Sequence, residues 1–156
     1  MDYTTPFVEW LIKNCDYVKN NKLFLNAVTA ENNNKQIVTQ HIARSEDKHY
    51  CDGSVLRKIK FTIFDFQSIS FNMLVKNAID NNENIEGLLS ASQIIDFIEQ
   101  AEKDRNYPLF ADGIEVQEMY SEYGSPSTPS IDSNASLAKY SIPVTVVILD
   151  TRDSVI

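Results

Sequence analysis

The residues with the clearest potential for chemistry are two cysteines and two histidines, at positions Cys15, His41, His49 and Cys51. Only His49 and Cys51 are close in sequence, and Tyr50 between them is not among the usual zinc ligands. Because this spacing matches no established zinc pattern, we predict that these side chains hold no metal. A nucleophilic pair of Cys51 and His41 is disfavoured as well, since the sequence has no recognisable nucleophile turn and no oxyanion feature.

The carboxylates offer a second chemistry, general acid–base catalysis, which needs a carboxyl group with a raised pKa. Asp96 and Glu99 fall on one face of a predicted helix, but no apolar pocket is predicted around them, so we interpret them as a solvated face. Asp65 differs, because it stands between Phe64 and Phe66 in a strand-like segment. A charge there needs a partner. Pairing with a lysine of the same chain is favoured over a contact with another subunit.

The sequence has one local basic cluster, Arg57-Lys58-Ile59-Lys60. In a strand, Lys58 and Lys60 would share one face and Arg57 would lie on the other. A solvated strand face is the preferred interpretation, contact with an acidic neighbouring subunit comes second, and phosphate binding comes third. None of the four glycines falls in a phosphate-binding pattern. We therefore expect no cofactor and no catalytic residue, and we predict that the protein is not an enzyme.

The composition of the 156-residue chain is that of an acidic globular protein. Hydrophobic residues make up 43%, which argues against general disorder and suffices for one ordinary core. The formal net charge is −8, from 14 Lys and Arg against 22 Asp and Glu, and it disfavours both duplex DNA and anionic membranes as partners. The sequence shows no signal peptide and no apolar run of roughly 20 residues. We therefore expect a reducing cytoplasm, two free thiols and no membrane contact.

Hydrophobic periodicity predicts two main helices and five strands. The first helix covers about residues 6–17, with a threonine hydroxyl as its cap and Pro6 in its first turn. The second begins at Ser90, whose spacing to Gln93 is that of a capping box, and ends near residue 103, before Asn106-Tyr107-Pro108. The strands are predicted at residues 23–29, 36–43, 55–66, 113–123 and 138–150, with 45–49 either a bend or a continuation of the second strand.

The order α-β-β-β-α-β-β predicts an α+β fold, an antiparallel-rich β-sheet with two main helices packed on one face. We expect a single domain over residues 1–150 and a C-terminal tail over residues 151–156. The segment 55–66 becomes apolar on both faces towards its end, which is typical of a central strand. Residues 31–35 are predicted as a turn and residues 74–79 as part of a short helix, which Asn81-Asn82 and Gly87 would keep from extending.

A loop of small and polar residues separates the last two strands. Its members are Gly124, Ser125, Pro126, Ser127, Thr128, Pro129 and Ser130. The loop has no apolar side chain whose burial could offset the entropy lost on ordering. Because loops that order on assembly are common at interfaces, we consider it a candidate interface and expect assembly to protect it from hydrogen exchange.

A strong hairpin signal lies at Tyr50-Cys51-Asp52-Gly53-Ser54, where we predict a two-residue turn of the primed type between two strands. Three later pieces accompany it: Phe97-Ile98-Glu99-Gln100, Asn106-Tyr107-Pro108-Leu109 and Ala138-Lys139-Tyr140-Ser141-Ile142-Pro143-Val144. In this order and at these distances, the pieces resemble the small tail-completion proteins of tailed bacteriophages, often catalogued as minor capsid or tail terminator proteins. The resemblance extends over roughly residues 5–150.

The resemblance implies a subunit that forms a hexameric ring on the last ring of the tail tube and stops its polymerisation. Such a ring joins the tube to the head–neck connector protein and, in a contractile particle, also meets the sheath protein. The implied location is the neck end of the virion tail, after assembly in the host cytoplasm. The matched positions, for which the resemblance implies structural roles in a turn, a helix exit and the last strand, are Tyr50, Asp52, Gly53, Pro108, Ala138 and Tyr140.

The sequence departs from the family pattern at Cys51, where an aliphatic residue is usual, and at Phe97, where tryptophan is common. Two other functions remain open alongside the resemblance. One is a cytoplasmic adaptor or binding module without a virion role, and the other is a small hydrolase that uses Cys51 or a carboxylate pair. We expect the purified subunit to be mostly monomeric, because a charge of −8 per chain opposes self-association.

The net charge also leads to a prediction about DNA. The genome passes through the ring of a tail terminator, and acidic groups around that passage would let it slide without binding. We predict no measurable binding of the purified protein to duplex DNA at physiological salt in a fluorescence anisotropy titration. Tight binding with the steep salt dependence of phosphate contacts would contradict this reading of the charge.

Overall fold

A computed structural model describes residues 2–19, 22–25, 36–68, 82–122, 124, 130–132 and 137–154. Its helices are α1 (Thr4–Asn14), α2 (Asp16–Lys19) and α3 (Asn82–Asp104). Its strands are β1 (Lys22–Leu25), β2 (Gln36–His49), β3 (Val55–Ser68), β4 (Ile114–Ser121), β5 (Ser130–Asp132) and β6 (Leu137–Asp150). The predicted α+β class is confirmed, and the structure adds two short elements, α2 and β5, that the sequence reading did not contain.

The described strands form one sheet in the order β1-β2-β3-β6-β4, with β5 beside β6. The pair β1–β2 is parallel and the other pairs are antiparallel. The β3–β6 ladder runs without a register shift from Val55 opposite Asp150 to Ser68 opposite Leu137. Because β3 has β2 on its other side, the prediction of a central strand is confirmed. Residues 45–49 continue β2, with an irregularity between Ser45 and Lys48.

The core lies between one face of the sheet and the two main helices. Alternate residues of β3 at positions 59, 61 and 63 are fully buried, as the period of two predicts. Phe7 of α1 stacks on Phe61, with the ring centroids 4.1 Å apart. The buried cluster contains, from the helices, Phe7, Val8, Trp10, Leu11, Ala91, Ile94, Ile95, Ile98 and Ala101, and from the sheet, Ile59, Phe61, Ile63, Met119, Tyr140, Ile142, Val144, Val146 and Ile148. Both main helices therefore pack on the same face, as predicted.

The start and the end of α1 differ from the prediction. The group that caps its first turn is not a threonine hydroxyl but the carboxylate of Asp2, which accepts the backbone N–H groups of Thr4 at 2.9 Å and Thr5 at 3.1 Å. The helix ends at Asn14 rather than near residue 17, because Cys15 has extended dihedrals. The Asn14 side chain donates to the Trp10 carbonyl at 2.8 Å, a local bond that competes with continuation of the helix.

The predicted start of the second main helix is wrong. The helix begins at Asn82 instead of Ser90, so Ser90 is an interior residue and not a cap. Asn82 and Gly87 do not break the helix as expected; a single glycine costs about 1 kcal/mol relative to alanine, which a 23-residue helix can absorb. The predicted segments at 26–35, 74–79 and 125–129 lie outside the described residues. No helix in the described part of the chain is long and apolar enough to cross a bilayer.

Strand β4 lies at one edge of the described sheet and is partly covered by the end of α3. The Glu102 carboxylate accepts the backbone N–H of Met119 and the hydroxyl of Tyr107, each at 2.8 Å. A register shift between Val116 and Glu118 further interrupts the edge. Covered and irregular edges resist pairing with a strand from another molecule. The side chain of Glu102 thus fastens the helix layer to the sheet and blocks part of that edge.

Strands β4 and β5 pair with β6 on the same side. After the last β4 pair, the Glu122 N–H donates to the Pro143 carbonyl at 3.0 Å. Pro143 has no N–H and cannot donate a hydrogen bond in return. The next described pair on this side of β6 is Ser130 with Lys139. The last residue of the loop predicted from Gly124 to Ser130 is therefore the first residue of β5.

The role of Glu102 can be tested with two alanine substitutions in the same helix. Glu102→Ala removes the acceptor of two hydrogen bonds and leaves the Met119 N–H without it, so we expect unfolding to become easier by roughly 1–3 kcal/mol. Glu99→Ala is the control, because Glu99 is exposed on α3 and the same substitution there changes the helix propensity by the same amount. Chemical denaturation measures both. Equal stability of the two variants would contradict the fastening role.

Candidate functional site

The hairpin between β2 and β3 has a three-residue loop, not the predicted two-residue one. The Gly53 N–H donates to the Tyr50 carbonyl at 3.1 Å, and the Tyr50 N–H donates to the Ser54 carbonyl at 2.9 Å. Gly53 has φ +89°, whereas Asp52 is not among the described residues with positive φ. A type I′ turn would need positive φ at both central residues. The prediction of a primed turn is therefore wrong, while the hairpin and the need for glycine are confirmed.

Asp52 stabilises this loop from within. Its Oδ1 accepts the Ser54 N–H at 2.9 Å and the Ser54 hydroxyl at 2.6 Å. These bonds favour the charged carboxylate and hold the pKa of Asp52 below its usual value. The side chain is exposed, so an ionised carboxylate is presented to solvent at the tip of the hairpin.

The residues after β6 lie against two glycine turns. A Cβ atom on Gly53 would be 2.5 Å from the carbonyl oxygen of Asp153, and one on Gly113 would be 2.7 Å from Cγ of Arg152. The Thr151 N–H donates to the Gly113 carbonyl at 2.8 Å. Part of the segment predicted as a tail, residues 151–154, is thus held by a backbone hydrogen bond and lies so close to Gly53 and Gly113 that a Cβ atom at either position would clash.

A group of charged side chains ties this end of the sheet together. Asp150, only 5% exposed, accepts from Arg57 at 2.9 Å and from Arg152 at 2.7 Å and 2.9 Å. Arg57 also lies 3.4 Å from Asp47. Bonds from Arg152 first, with Arg57 adding its charge, hold the pKa of Asp150 at about 2. The prediction that Arg57 belongs to a solvated face is wrong, because its side chain is largely buried against Asp150. The two residues are far apart in sequence, and the register of the strands brings them together.

The exit of α3 carries an exposed leucine. Arg105 has φ +51°, and the N–H groups of Arg105 and Asn106 donate to the carbonyls of Glu102 and Ala101, the pattern of a Schellman cap. Pro108 is buried, whereas Leu109 is 88% exposed. Clefts lie on both sides of Leu109, one against α1 and one against β4. At this helix exit the proline is thus the buried residue and the leucine after it is the exposed one.

The cleft against α1 has a volume of about 270 Å³ and a polar wall. The Trp10 indole N–H donates to the Asn106 side chain at 3.3 Å, and the Asn106 amide donates to Asn14 at 3.3 Å. These bonds join α1 to the exit of α3 across the cleft. Its shape is consequently set by the two helices and not by the exposed leucine at its rim.

The matched residues of the last strand lie at the opposite end of the sheet. Tyr140 is 3% exposed and stands opposite Asp65, and Ala138 stands opposite Gln67. Asp65 is fully buried, and the Tyr17 hydroxyl donates to its two oxygens at 3.0 Å and 3.2 Å. Burial, followed by the charge of Asp65, raises the pKa of Tyr140. A tyrosine of the same chain is thus one partner of Asp65, a residue that the sequence reading did not consider.

The matched positions do not form a single cluster. Asp150 lies ten positions after Tyr140 in β6, so the last-strand positions lie roughly 33 Å from the hairpin end at about 3.3 Å per residue. Cys15 is buried in the core and Cys51 is exposed in the turn. His41 pairs with Phe61, six residues along β3 from the hairpin end, roughly 20 Å away from Cys51. Among the described residues, no group of three His, Cys, Asp or Glu side chains could hold a metal ion.

Glycine at position 53 can be tested against a second glycine. Gly53→Val must place a β-branched residue at φ +89° and close to the Asp153 carbonyl, so we expect a loss of roughly 1–3 kcal/mol in the free energy of unfolding. Gly124→Val is the control, because a Cβ there would meet nothing within 4 Å and the φ is not positive. Thermal unfolding compares the two variants. A Gly53→Val protein as stable as the control would show that the turn is assigned wrongly.

The Asp150 group leads to a pH prediction. Its folded pKa of about 2 lies below the usual 3.8, so its stabilisation is present above pH 4 and is lost as the pH falls towards 2. Asp150→Asn should therefore cost about 2 kcal/mol at pH 7, and less at each step below pH 4. Urea titrations from pH 7 to pH 2.5 measure the difference, with exposed Asp112→Asn as the control. A difference that does not shrink with acid would contradict the ionised state.

Comparison with known proteins adds no relative to this description. No protein-family model matches the chain, and no curated protein matches it at a significant level.

Proposed function

We propose that the chain is a structural subunit of a bacteriophage tail, a tail terminator that caps the tail tube and joins it to the head–neck connector. The proposal rests on the four sequence pieces that resemble this family. One observation carries it: three of the matched positions lie in a tight turn or are buried. Gly53 closes the central hairpin, Pro108 is buried after α3, and Tyr140 is buried in β6.

The roles of these residues support an assembly function over a chemical one. Gly53 is needed for its backbone conformation and for the close approach of residue 153. Tyr140 fills the core beside Asp65. Conformation and packing at such positions preserve the shape of a subunit, and shape is what a ring must repeat in each copy.

The surface offers features through which such a ring could meet its partners. The segment from Gly124 to Ser130 is the candidate interface predicted from the sequence, and the hairpin tip presents the charged Asp52. This segment is the proposed contact with the tube or connector protein, and in a contractile particle with the sheath protein. The subunit is proposed to be mostly monomeric when free and hexameric on the particle, because partner contacts must offset a charge of −8 per copy.

The same charge fits passage of the genome. A ring of acidic subunits repels phosphates and releases no counterions from the DNA. The DNA can therefore move through the ring without binding to it. The proposed place of action is the neck end of the virion tail, reached after assembly in the host cytoplasm.

Deletion of the gene tests the proposal. Without a terminator, tube polymerisation continues and heads do not join, so we expect abnormally long or headless tails in electron micrographs. Complementation with the parent gene should restore particles of normal length, and complementation with the exposed-site variant Glu99→Ala should do the same. Normal particles from the deletion strain would overturn the proposal and favour an adaptor without a virion role.

A further inference from the structure

The chain contains two Asp-Gly pairs, Asp52-Gly53 and Asp112-Gly113, and each lies in a turn with the glycine at positive φ. Such a pair can rearrange without an enzyme when the glycine backbone nitrogen attacks the aspartate side chain. Glycine favours this attack because it has no Cβ to shield its nitrogen. The reaction requires a glycine N–H that no acceptor holds and a carboxyl group that is free to turn towards it. The surroundings of each pair therefore decide which one reacts.

The pair at the hairpin tip is protected by hydrogen bonds. The Gly53 N–H donates to the Tyr50 carbonyl at 3.1 Å. Asp52 Oδ1 accepts the Ser54 N–H at 2.9 Å and the Ser54 hydroxyl at 2.6 Å. The bonds from Ser54 hold the pKa of Asp52 below its usual value, which lowers the fraction of neutral carboxyl group that a nitrogen can attack. Both reacting groups of this pair are thus engaged.

The pair before β4 has no such protection. Asp112 and Gly113 are exposed, and a bond from the Ile114 N–H to the Ala111 carbonyl at 3.1 Å closes their turn. This bond spans the pair and uses neither of its reacting groups. Within the described ranges, the Gly113 N–H donates no hydrogen bond and the Asp112 carboxylate accepts none. The two groups are consequently free to approach each other when the turn fluctuates.

We propose that Asp112-Gly113 is a site of spontaneous isomerisation to isoaspartate and that the fold protects Asp52-Gly53 from the same reaction. The Gly113 nitrogen forms a bond to Cγ of the protonated Asp112 carboxyl group, and the hydroxyl of that group leaves with the amide proton as water. Water then opens the cyclic imide. Cleavage between the nitrogen and Cγ restores aspartate, whereas cleavage between the nitrogen and the main-chain carbonyl carbon gives isoaspartate. No atom is gained or lost overall, and the site does not depend on the tail role.

The carbonyl of Gly113 also anchors the segment after β6. It accepts the Thr151 N–H at 2.8 Å and the Thr151 hydroxyl at 3.1 Å. Isoaspartate leads the main chain through Cβ and Cγ of residue 112, which adds an atom to the main chain ahead of Gly113. A Cβ atom on Gly113 would already lie 2.7 Å from Cγ of Arg152, so the turn has little room to shift on that side. We expect the modification to break the Thr151 bonds and to loosen residues 151–154.

Ageing of the purified protein tests the site. The protein is incubated in mildly acidic buffer with a reductant for the exposed Cys51. Peptides that contain each pair are then fragmented by electron transfer, which distinguishes isoaspartate from aspartate. Each of the three protecting bonds at the hairpin should lower reactivity roughly two- to tenfold, so we expect at least about tenfold more isoaspartate at position 112 than at position 52. Equal amounts, or more at position 52, would overturn the proposal.

Ageing in concentrated urea separates the effect of the fold from that of the neighbouring residues. The protecting hydrogen bonds are absent from the unfolded chain, so both pairs should react there at similar rates. A preference for position 112 that is equally large in urea would come from the local sequence and would overturn the protective role of the hairpin. A position 112 that reacts in urea but stays unmodified in the folded protein would overturn the site itself.

Hydrogen exchange tests the link to the end of the chain. Aged protein is compared with fresh protein, and Asp112→Ala, which cannot form the imide, is aged in parallel as the control. We expect faster exchange of the amides of residues 151–154 in the aged parent and no change in the aged variant. Unchanged exchange in protein that carries isoaspartate at position 112, or an equal change in the variant, would overturn the link between this turn and the C-terminal segment.

Discussion

The uninterrupted register between β3 and β6 is the constraint on which the rest of the molecule depends. It places Val55 opposite Asp150 at one end and Ser68 opposite Leu137 at the other. Because side chains alternate along a strand, this one alignment decides which residues face the helices and which face away. A slip of one residue would expose Phe61 and bury Lys60, so the whole apolar face supports a single register.

The buried charges also favour this register of β3 and β6. A buried ion pair adds little net stability over apolar residues of similar size, but removal of one partner is costly. The bonds from Arg57 and Arg152 to Asp150 exist only when the end of β6 lies beside the start of β3. We infer that these groups discriminate against misaligned pairings more than they raise the stability of the correct one.

The sequence predicted what depends on local pattern. Alternation over residues 55–66 located β3 and its core face, β-branched residues located the strand at 138–150, and the Asp52-Gly53 pair located the hairpin. Two of the failures concern groups whose partners are distant along the chain. Asp150 meets Arg57 across 93 residues, and Glu102 meets the Met119 N–H across the helix–sheet boundary. The start of α3 was misplaced because a capping-box spacing also occurs inside helices. The exposure of Leu109 was not predicted either.

The pairing of β6 with two successive strands on one side has a consequence for how this protein can change. Glu122 donates to the Pro143 carbonyl, and Ser130 pairs with Lys139, so both positions are anchored on the same strand. Extra or foreign segments could be inserted between residues 122 and 130 without shifting the described strands, since the length of a connection adds only slowly to the entropy of closure. This position is thus open to diversification and is a suitable attachment point for a tag or a new binding segment.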